Sequence, residues 1–384
     1  MKVMVIFGTR PEAIKMVPVV AALRATPGLT VEVCVTAQHR QMLDQVLELF
    51  AVTPDHDLDV MTATQGLTGI TCAILQGLAP IYQRARPDWV LVHGDTTTTL
   101  AATLAACYQQ IPVGHVEAGL RSGDLLAPWP EEANRRVTDT LAELFLAPTA
   151  GAQANLLAEG VDPARVHVTG NTVIDALHAT LALIDADPAA AARLAARFGF
   201  LPPGRRVLLV TGHRRENFGP AFLDLCHGIA DLARAHPIEV VYPVHLNPNV
   251  QQPVREVLSG LANVHLIEPL DYLPFVYLMR RAHVILTDSG GIQEEAPSLG
   301  KPVFVMRNVT ERPEAVAAGT VELVGTDRHR IFAAVSRVLA DQAAWEIMSR
   351  AHNPYGDGHA AARIADILRR LGPVRPAAAT QPPR

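Results

Sequence analysis

Apolar residues fall along this chain in short runs that alternate with stripes at helical spacing. The runs at 2–7, 30–35, 89–93, 113–116, 144–147 and 166–169 read as buried strands. Between them, 11–25, 40–50, 68–84, 100–109, 131–144 and 171–183 carry helical periodicity. Residues 184–206, rich in alanine, proline and arginine, predict a surface helix and a loop. A second alternation follows, with strands at 207–211, 238–244, 264–267, 283–287, 303–306 and 321–324. Its helices are expected at 222–235, 251–258, 273–282, 330–340 and 358–370. Strands alternating with helices give parallel sheets covered on both faces, so the fold class is α/β with two doubly wound, Rossmann-like domains. The halves echo each other. Val5-Ile6-Phe7-Gly8-Thr9-Arg10 and Leu209-Val210-Thr211-Gly212-His213-Arg214 are both strand, glycine, polar residue, arginine. Two such sheets facing across a cleft would bring both turns to it, since open parallel sheets bind ligands outside the carboxyl ends of their strands.

The chemistry lies at those ends. Asp288-Ser289-Gly290-Gly291-Ile292-Gln293-Glu294-Glu295 joins a strand to a helix. Two glycines let backbone approach a phosphate, and a helix start points N–H donors at it. Glu295, about one helical turn further on, is placed to accept hydrogen bonds from ribose hydroxyls. An ordinary strand-to-helix turn would look the same over these residues alone, so the other strand ends carry the weight. After the first strand, Arg10 and Lys15 in Gly8-Thr9-Arg10-Pro11-Glu12-Ala13-Ile14-Lys15 are cations suited to a diphosphate; the bland alternative is a solvated helix start. His93-Gly94-Asp95-Thr96-Thr97-Thr98-Thr99 puts Asp95 where an N-cap would sit, before β-branched residues that favour helix poorly. Glu117 ends the strand of Gly114-His115-Val116, while His115 inside that apolar pattern reads as a satisfied core histidine. Glu131 and Glu132 open a helix, where acids commonly complement the dipole. Each carboxylate has a structural explanation alone; Asp95, Glu117 and Glu131 together at neighbouring ends of one domain do not. The second half supplies His213, placed to contact phosphate or shuttle a proton, and Arg312 as a further cation.

Composition narrows the class. With 384 residues, 49% apolar and 18% charged, the chain suits a globular protein of about two domains. A formal charge of −5 offers no electrostatic case for nucleic acid or anionic membrane as a partner. No apolar run approaches the ~20 residues of a membrane span, and the N-terminus reads as a strand rather than a signal peptide. Cys34, Cys72, Cys107 and Cys226 are far apart and are expected as buried small hydrophobes in a reducing compartment. No histidine or cysteine spacing suggests a metal site.

The motifs together resemble the non-hydrolysing UDP-N-acetylglucosamine 2-epimerases of bacteria. The resemblance runs from residue 2 to about 370, on GTRPEAIK (8–15), TAQHRQML (36–43), HGDTTTT (93–99), GHVEAGLRSGD (114–124), PWPEEANR (128–135), TGNTVIDAL (169–177), TGHRRENFG (211–219), YPVHLNPNV (242–250), TDSGGIQEEAPSLGKPV (287–303) and TERPEA (310–315). It implies a glycosyltransferase-B-like architecture: 1–170 plus a returning helix at 358–372, then 171–357, with 373–384 as a disordered tail. It implies interconversion of UDP-GlcNAc and UDP-ManNAc by eliminating UDP to 2-acetamidoglucal and adding it back. The product would supply cell-surface polysaccharide, made by a cytoplasmic homodimer that needs no cofactor. Asp95, Glu117, Glu131 and His213 would be catalytic. Arg10, Lys15, Arg135, Ser289, Gly290, Gly291, Glu295 and Arg312 would bind substrate, with Phe275 by the uracil. Two positions depart from the family pattern. Leu270 stands where many relatives have glutamine beside the uracil. Thr64 stands where relatives with a second, allosteric UDP-GlcNAc site have arginine. Gln38, Gln41, Arg215 and His245 would line that second site. A nucleotide-sugar glycosyltransferase would share the architecture, and a non-catalytic nucleotide-sugar sensor would share the cations; neither explains the three carboxylates.

Overall fold

The computed structural model describes residues 1–38, 40–61, 65–310 and 312–373. The chain divides into two compact units, Met1–Ala176 with the segment from Gly356 onward, and Leu177–Tyr355. Val374–Arg384, most of the Pro/Ala-rich tail, and Thr64 lie outside the described residues.

In the first unit the strands are β1 (Lys2–Phe7), β2 (Thr30–Val35), β3 (His56–Asp57), β4 (Trp89–His93), β5 (Val113–Val116), β6 (Leu144–Ala147) and β7 (Val166–Val168). Their helices are α1 (Arg10–Ala25), α2 (Arg40–Leu49), α3 (Leu67–Ala85), α4 (Thr97–Tyr108), α5 (Glu131–Leu141), α6 (Ala150–Ala158) and α7 (Thr172–Ala186). All seven strands are parallel, in the order β3-β2-β1-β4-β5-β6-β7. After α8 (Pro188–Arg197), the second unit lays down β8 (Arg206–Thr211), α9 (Pro220–Ala235), β9 (Ile238–Pro243), α10 (Pro248–Leu258), β10 (Val264–Ile267), α11 (Tyr272–Arg281) and β11 (Val284–Thr287). It continues with α12 (Gly290–Glu295), β12 (Val303–Val305), α13 (Pro313–Ala317), β13 (Val321–Leu323), α14 (Arg328–Ala340) and α15 (Gln342–Arg350). Its parallel order is β10-β9-β8-β11-β12-β13. The last helix, α16 (Ala360–Leu371), returns to the first unit and packs on α1. Its buried face is Ala360, Ala361, Ile364, Ala365, Ile367 and Leu368. The Asp175 carboxylate accepts the Ala360 and Ala361 N–H groups at 3.2 and 2.9 Å, satisfying donors that the helix start leaves open.

The strand order of each sheet changes direction once, between β1 and β4 in the first unit and between β8 and β11 in the second. A crevice opens at such a point, because the connections on either side leave in opposite directions. The residues that follow these four strands are Gly8-Thr9-Arg10, Gly94-Asp95, Gly212-His213 and Asp288-Ser289. Below them the cores are ordinary. Met4, Ile6, Ile74, Leu78, Val90 and Val92 fill the first unit. Phe222, Leu225, Ile229, Tyr242, Phe304 and Ile331 fill the second.

Several expectations change. The helix after β4 starts at Thr97, not Leu100, because Thr96 caps it: its hydroxyl accepts the Thr99 N–H at 3.1 Å. Asp95 is therefore not the cap. The Ala-rich α6, whose apolar periodicity is weak, the five-residue α13 and the amphipathic α15 are absent from the expected elements. Cys34 and Cys226 are buried, but Cys72 and Cys107 are exposed, on the outer faces of α3 and α4.

Candidate active site

In the first unit the site grows from the strand ends. Thr9 and Glu12 form a capping box at the start of α1. Glu12 is buried, and its Oε2 accepts the Gly8 and Thr9 N–H groups at 3.0 and 2.7 Å. Its Oε1 accepts the Thr96 hydroxyl at 2.6 Å, tying the turn after β1 to the turn after β4. A side chain at Gly8 would collide with Thr36 and with Thr98, whose Oγ1 a Cβ would meet at 2.6 Å. The threonines that favour helix poorly are thus spent on holding turns.

Glu117 sits directly beyond β5 with φ +68°, a left-handed conformation that costs a residue with a Cβ roughly 1–2 kcal/mol. Its carboxylate, 9% exposed, is ion-paired with Lys15 and accepts the Asn171 Nδ2–H at 2.9 Å. His93 Nε2 lies 3.6 Å from the same oxygen, and among the described residues neither ring nitrogen of this buried histidine is within hydrogen-bond distance of a partner. Burial opposes the charge on Glu117, but Lys15 and then His93 outweigh it and hold the carboxyl well below the usual range.

Helix α5 presents Glu131, Arg135 and Asp139 at intervals of four, which place them on one face. Arg135 grips Asp95 Oδ2 through Nε at 3.0 Å and Nη2 at 2.6 Å, and Asn134 Nδ2 donates to the Asp95 carbonyl at 2.8 Å. Asp139 bonds His115 Nδ1 at 2.5 Å, and His115 Nε2 donates to the Gly94 carbonyl at 2.8 Å. His115 is the satisfied core histidine its pattern suggested. Asp139 also accepts Arg121 Nη2 at 2.7 Å and the Gly119 N–H at 3.3 Å, so one carboxylate braces the turns of both Asp95 and Glu117. Burial works against ionised Asp139, and His115 with Arg121 keeps its pKa lowered nevertheless. Of the two acids opening α5, Glu132 is fully buried on Arg135, Arg136 and the Ser122 N–H. Glu131 is half-buried, with no hydrogen bond or ion pair among the described residues. Arg10 is likewise uncommitted among them, whereas Lys15 is not.

In the second unit, Asp288 is fully buried beyond β11, and its Oδ2 accepts the His213 and Arg214 N–H groups, each at 2.8 Å. The His213 and His245 rings stack with centroids 5.0 Å apart. Partial loss of water lowers the pKa of His213, Asp288 opposes that, and His245 and Arg214 add to it. Glu295 is buried and accepts the Tyr272 hydroxyl at 2.6 Å; Phe275 is half-buried on the same helix, α11. Arg312 Nε donates to Glu294 at 2.9 Å. Its guanidinium lies against Gly290, where a Cβ would stand 2.6 Å from it. The close approach at that glycine is thus made here by a cation of the chain itself. Ser289 precedes α12 without a side-chain cap bond, and Gly291 is unobstructed apart from Glu295. Leu270 is buried.

The residues named for a second site divide between the units. Gln38 and Gln41 lie before and on α2, Gln38 with its Oε1 buried and without a hydrogen-bond partner among the described residues. Arg215 is exposed in a short turn, and His245 touches His213. Sequence reading missed Glu12, His93, Asp139, Asn171 and Asp288. The Thr9-x-x-Glu12 spacing and the four-residue interval from Arg135 to Asp139 were visible signals; the other three depend on contacts distant in sequence.

A family model described as UDP-N-acetylglucosamine 2-epimerase matches residues 21–369. A UDP-N-acetylglucosamine 2-epimerase of Escherichia coli (strain K12) is 60% identical over 370 residues, 96% of this chain and 98% of that one. A crystal structure of UDP-GlcNAc 2-epimerase from Neisseria meningitidis bound to UDP-GlcNAc superposes with TM-score 0.90 at 51% identity, covering 96% of this chain and all of that one. At 12% identity, MurG of Acinetobacter baumannii has TM-score 0.59 over 96% of this chain, a likeness of fold alone, the glycosyltransferase-B fold.

The Lys15–Glu117 pair generates a stability prediction. Lys15→Met leaves a buried carboxylate without its cation and should lower the unfolding free energy by about 3–5 kcal/mol at pH 7. The Lys15→Met/Glu117→Gln double variant should recover a large part of that in urea titrations. Because the folded pKa of Glu117 is depressed, its stabilising share is present above the ordinary carboxylate pKa and lost as pH falls below it. The Glu117→Gln protein should therefore be less acid-sensitive than wild type. Strictly additive single-variant costs would contradict the pairing.

Proposed function

The chain belongs to the UDP-N-acetylglucosamine 2-epimerase family and is an isomerase of that activity, and we propose that it works by eliminating and re-adding UDP. Carbon 2 of UDP-GlcNAc bears its proton next to no carbonyl, so direct removal at neutral pH is prohibitive. Departure of UDP builds positive charge at carbon 1 and makes the carbon-2 proton labile. Loss of that proton gives 2-acetamidoglucal. A proton delivered to the opposite face, with UDP returning to carbon 1, gives UDP-ManNAc. Electrons balance within the sugar and its leaving group, so the route calls for no redox partner. Carboxylates stabilise the oxocarbenium character and carry the protons, and cations hold the departing diphosphate.

The observation that carries this reading is Glu117, kept ionised by Lys15 at the end of β5 and braced beside Asp95. An ionised Glu117 and an Arg135-held Asp95 suit charge stabilisation or proton abstraction, and Glu131, uncommitted, suits proton exchange. Arg10 and Lys15, with His213, Ser289, Gly290, Gly291 and Arg312, serve sugar and diphosphate; Glu295 takes the ribose and Phe275 the uracil. For Lys15 and Arg312 this means sharing or exchanging their present carboxylate partners. The same reading has a cytoplasmic homodimer supplying ManNAc units for cell-surface polysaccharide, and four free thiols suit a reducing compartment. No helix among the described residues is long and apolar enough to cross a membrane.

Purified protein should convert UDP-GlcNAc partly to UDP-ManNAc, with free ManNAc absent from early time points. Asp95→Asn, Glu117→Gln and Glu131→Gln should each lower kcat by roughly 10²-fold or more while UDP still binds. Losses under about tenfold in all three would return these residues to scaffold roles.

Gln38, Gln41, Arg215 and His245 form a second UDP-GlcNAc site in this proposal, weakened by threonine at position 64. Initial rates against UDP-GlcNAc should then be shallow, and Thr64→Arg should steepen them, one charged hydrogen bond being worth about 1.5–3 kcal/mol. A strongly sigmoidal wild type, unchanged by Thr64→Arg, would remove the arginine from the account.

A further inference from the structure

Asp288 leaves one thing unexplained. Its Oδ2 is occupied by two backbone N–H groups, but Oδ1 is buried with no hydrogen-bond partner among the described residues, on a side chain with no exposed surface. Buried carboxylate oxygens are rarely left so, because the lost hydration is not returned. His213 Nδ1 lies 3.8 Å from that oxygen. Closing that gap to hydrogen-bond distance needs about 1 Å of ring movement. The ring has room for it: it is 47% exposed on one side and stacked, not locked, against His245.

We propose that Asp288 is the positioning residue for His213: in the ligand-bound enzyme its Oδ1 accepts the Nδ1–H of the imidazole, orienting the ring and leaving Nε2 as the nitrogen presented to substrate. The backbone bonds from His213 and Arg214 to Oδ2 fix the carboxylate against the same turn, so ring and acceptor are held by one short loop. A carboxylate behind an imidazole selects its tautomer and steadies the imidazolium when a proton arrives. The charged and titratable groups around the ring are Asp288 beyond β11, His245 beyond β9 and Arg214 on its own turn. Asp288 is the only one of the three that favours the protonated ring. This inference rests on the reading of His213 as a group at the sugar or diphosphate.

Asp288→Asn tests it with little change of shape. The amide oxygen still accepts the two backbone N–H groups, and the amide nitrogen faces Nδ1 as a donor, which selects the wrong tautomer. Followed by NMR in UDP-saturated enzyme, the His213 titration midpoint should fall by on the order of one pH unit. His245→Gln should move it the other way. Turnover in Asp288→Asn should fall roughly 10²-fold with KM little changed. In a His213→Gln background, Asp288→Asn should add less than about twofold, since a residue acting through another has nothing left to act on. In wild type with UDP bound, nitrogen shifts should report the Nδ1–H tautomer. An unmoved midpoint, an Nε2–H tautomer in wild type, or an equal cost of Asp288→Asn in both backgrounds would overturn the proposal. If His213→Gln itself spares turnover, the functional reading of His213 fails, while the titration and tautomer still decide the pairing.

Discussion

A carboxylate withdrawn from water must be given its hydration back by something, and this protein solves that problem repeatedly at its strand ends. Removing the partner of a buried charge costs about 3–5 kcal/mol, so each solution dictates the positions of the groups around it. Glu117 takes Lys15 and Asn171; Glu12 takes two backbone N–H groups and a threonine hydroxyl; Asp139 takes His115, Arg121 and Gly119. In the second unit Asp288 takes the N–H groups of His213 and Arg214. There Asp288, from one strand end, holds the glycine turn of its neighbour across the point where the strand order reverses; in the first unit, Glu12 in the first turn of α1 holds its own glycine turn and reaches the Thr96 hydroxyl beyond β4.

The chemistry follows from that bracing. Parallel sheets leave their carboxyl ends open, and nothing in the strand pattern itself holds a side chain there. Glu117 accepts a left-handed backbone against its local preference, while Asp95 follows Gly94, whose φ of +66° a glycine adopts readily. Packing overrules the preference at Glu117 because α5 clamps both turns through Arg135 and Asp139. A group that must be ionised, dry and fixed before substrate arrives is what transition-state charge stabilisation requires. Glu131, on the same helix face but without a partner among the described residues, is the contrasting case.

Much of this was legible from the chain. Alternating runs and stripes located nearly every strand, because a parallel strand buried on both faces is a nearly continuous apolar run. The candidate site residues are polar residues placed where apolar runs stop. What failed was local competition and long-range pairing. Asp95 and Thr96 are adjacent and both cap helices well; Thr96 wins because Arg135, forty residues away, claims the aspartate. Gly290 reads as room for a phosphate, yet Arg312 lies against it. Cys72 and Cys107 read as small buried hydrophobes, yet both lie on the exposed sides of α3 and α4, a choice of face that residue type alone does not fix. His93 and Asp288 carry no local signal, since what marks them is a nitrogen or oxygen left without a partner in three dimensions.

In the proposed mechanism, braced, ionised carboxylates let the carbon-2 proton leave and return during epimerisation. The most direct measurement is proton NMR of UDP-GlcNAc incubated with the enzyme in D₂O. The UDP-ManNAc formed should carry deuterium at carbon 2 from its first appearance. UDP-ManNAc that retains its original proton there would contradict the mechanism.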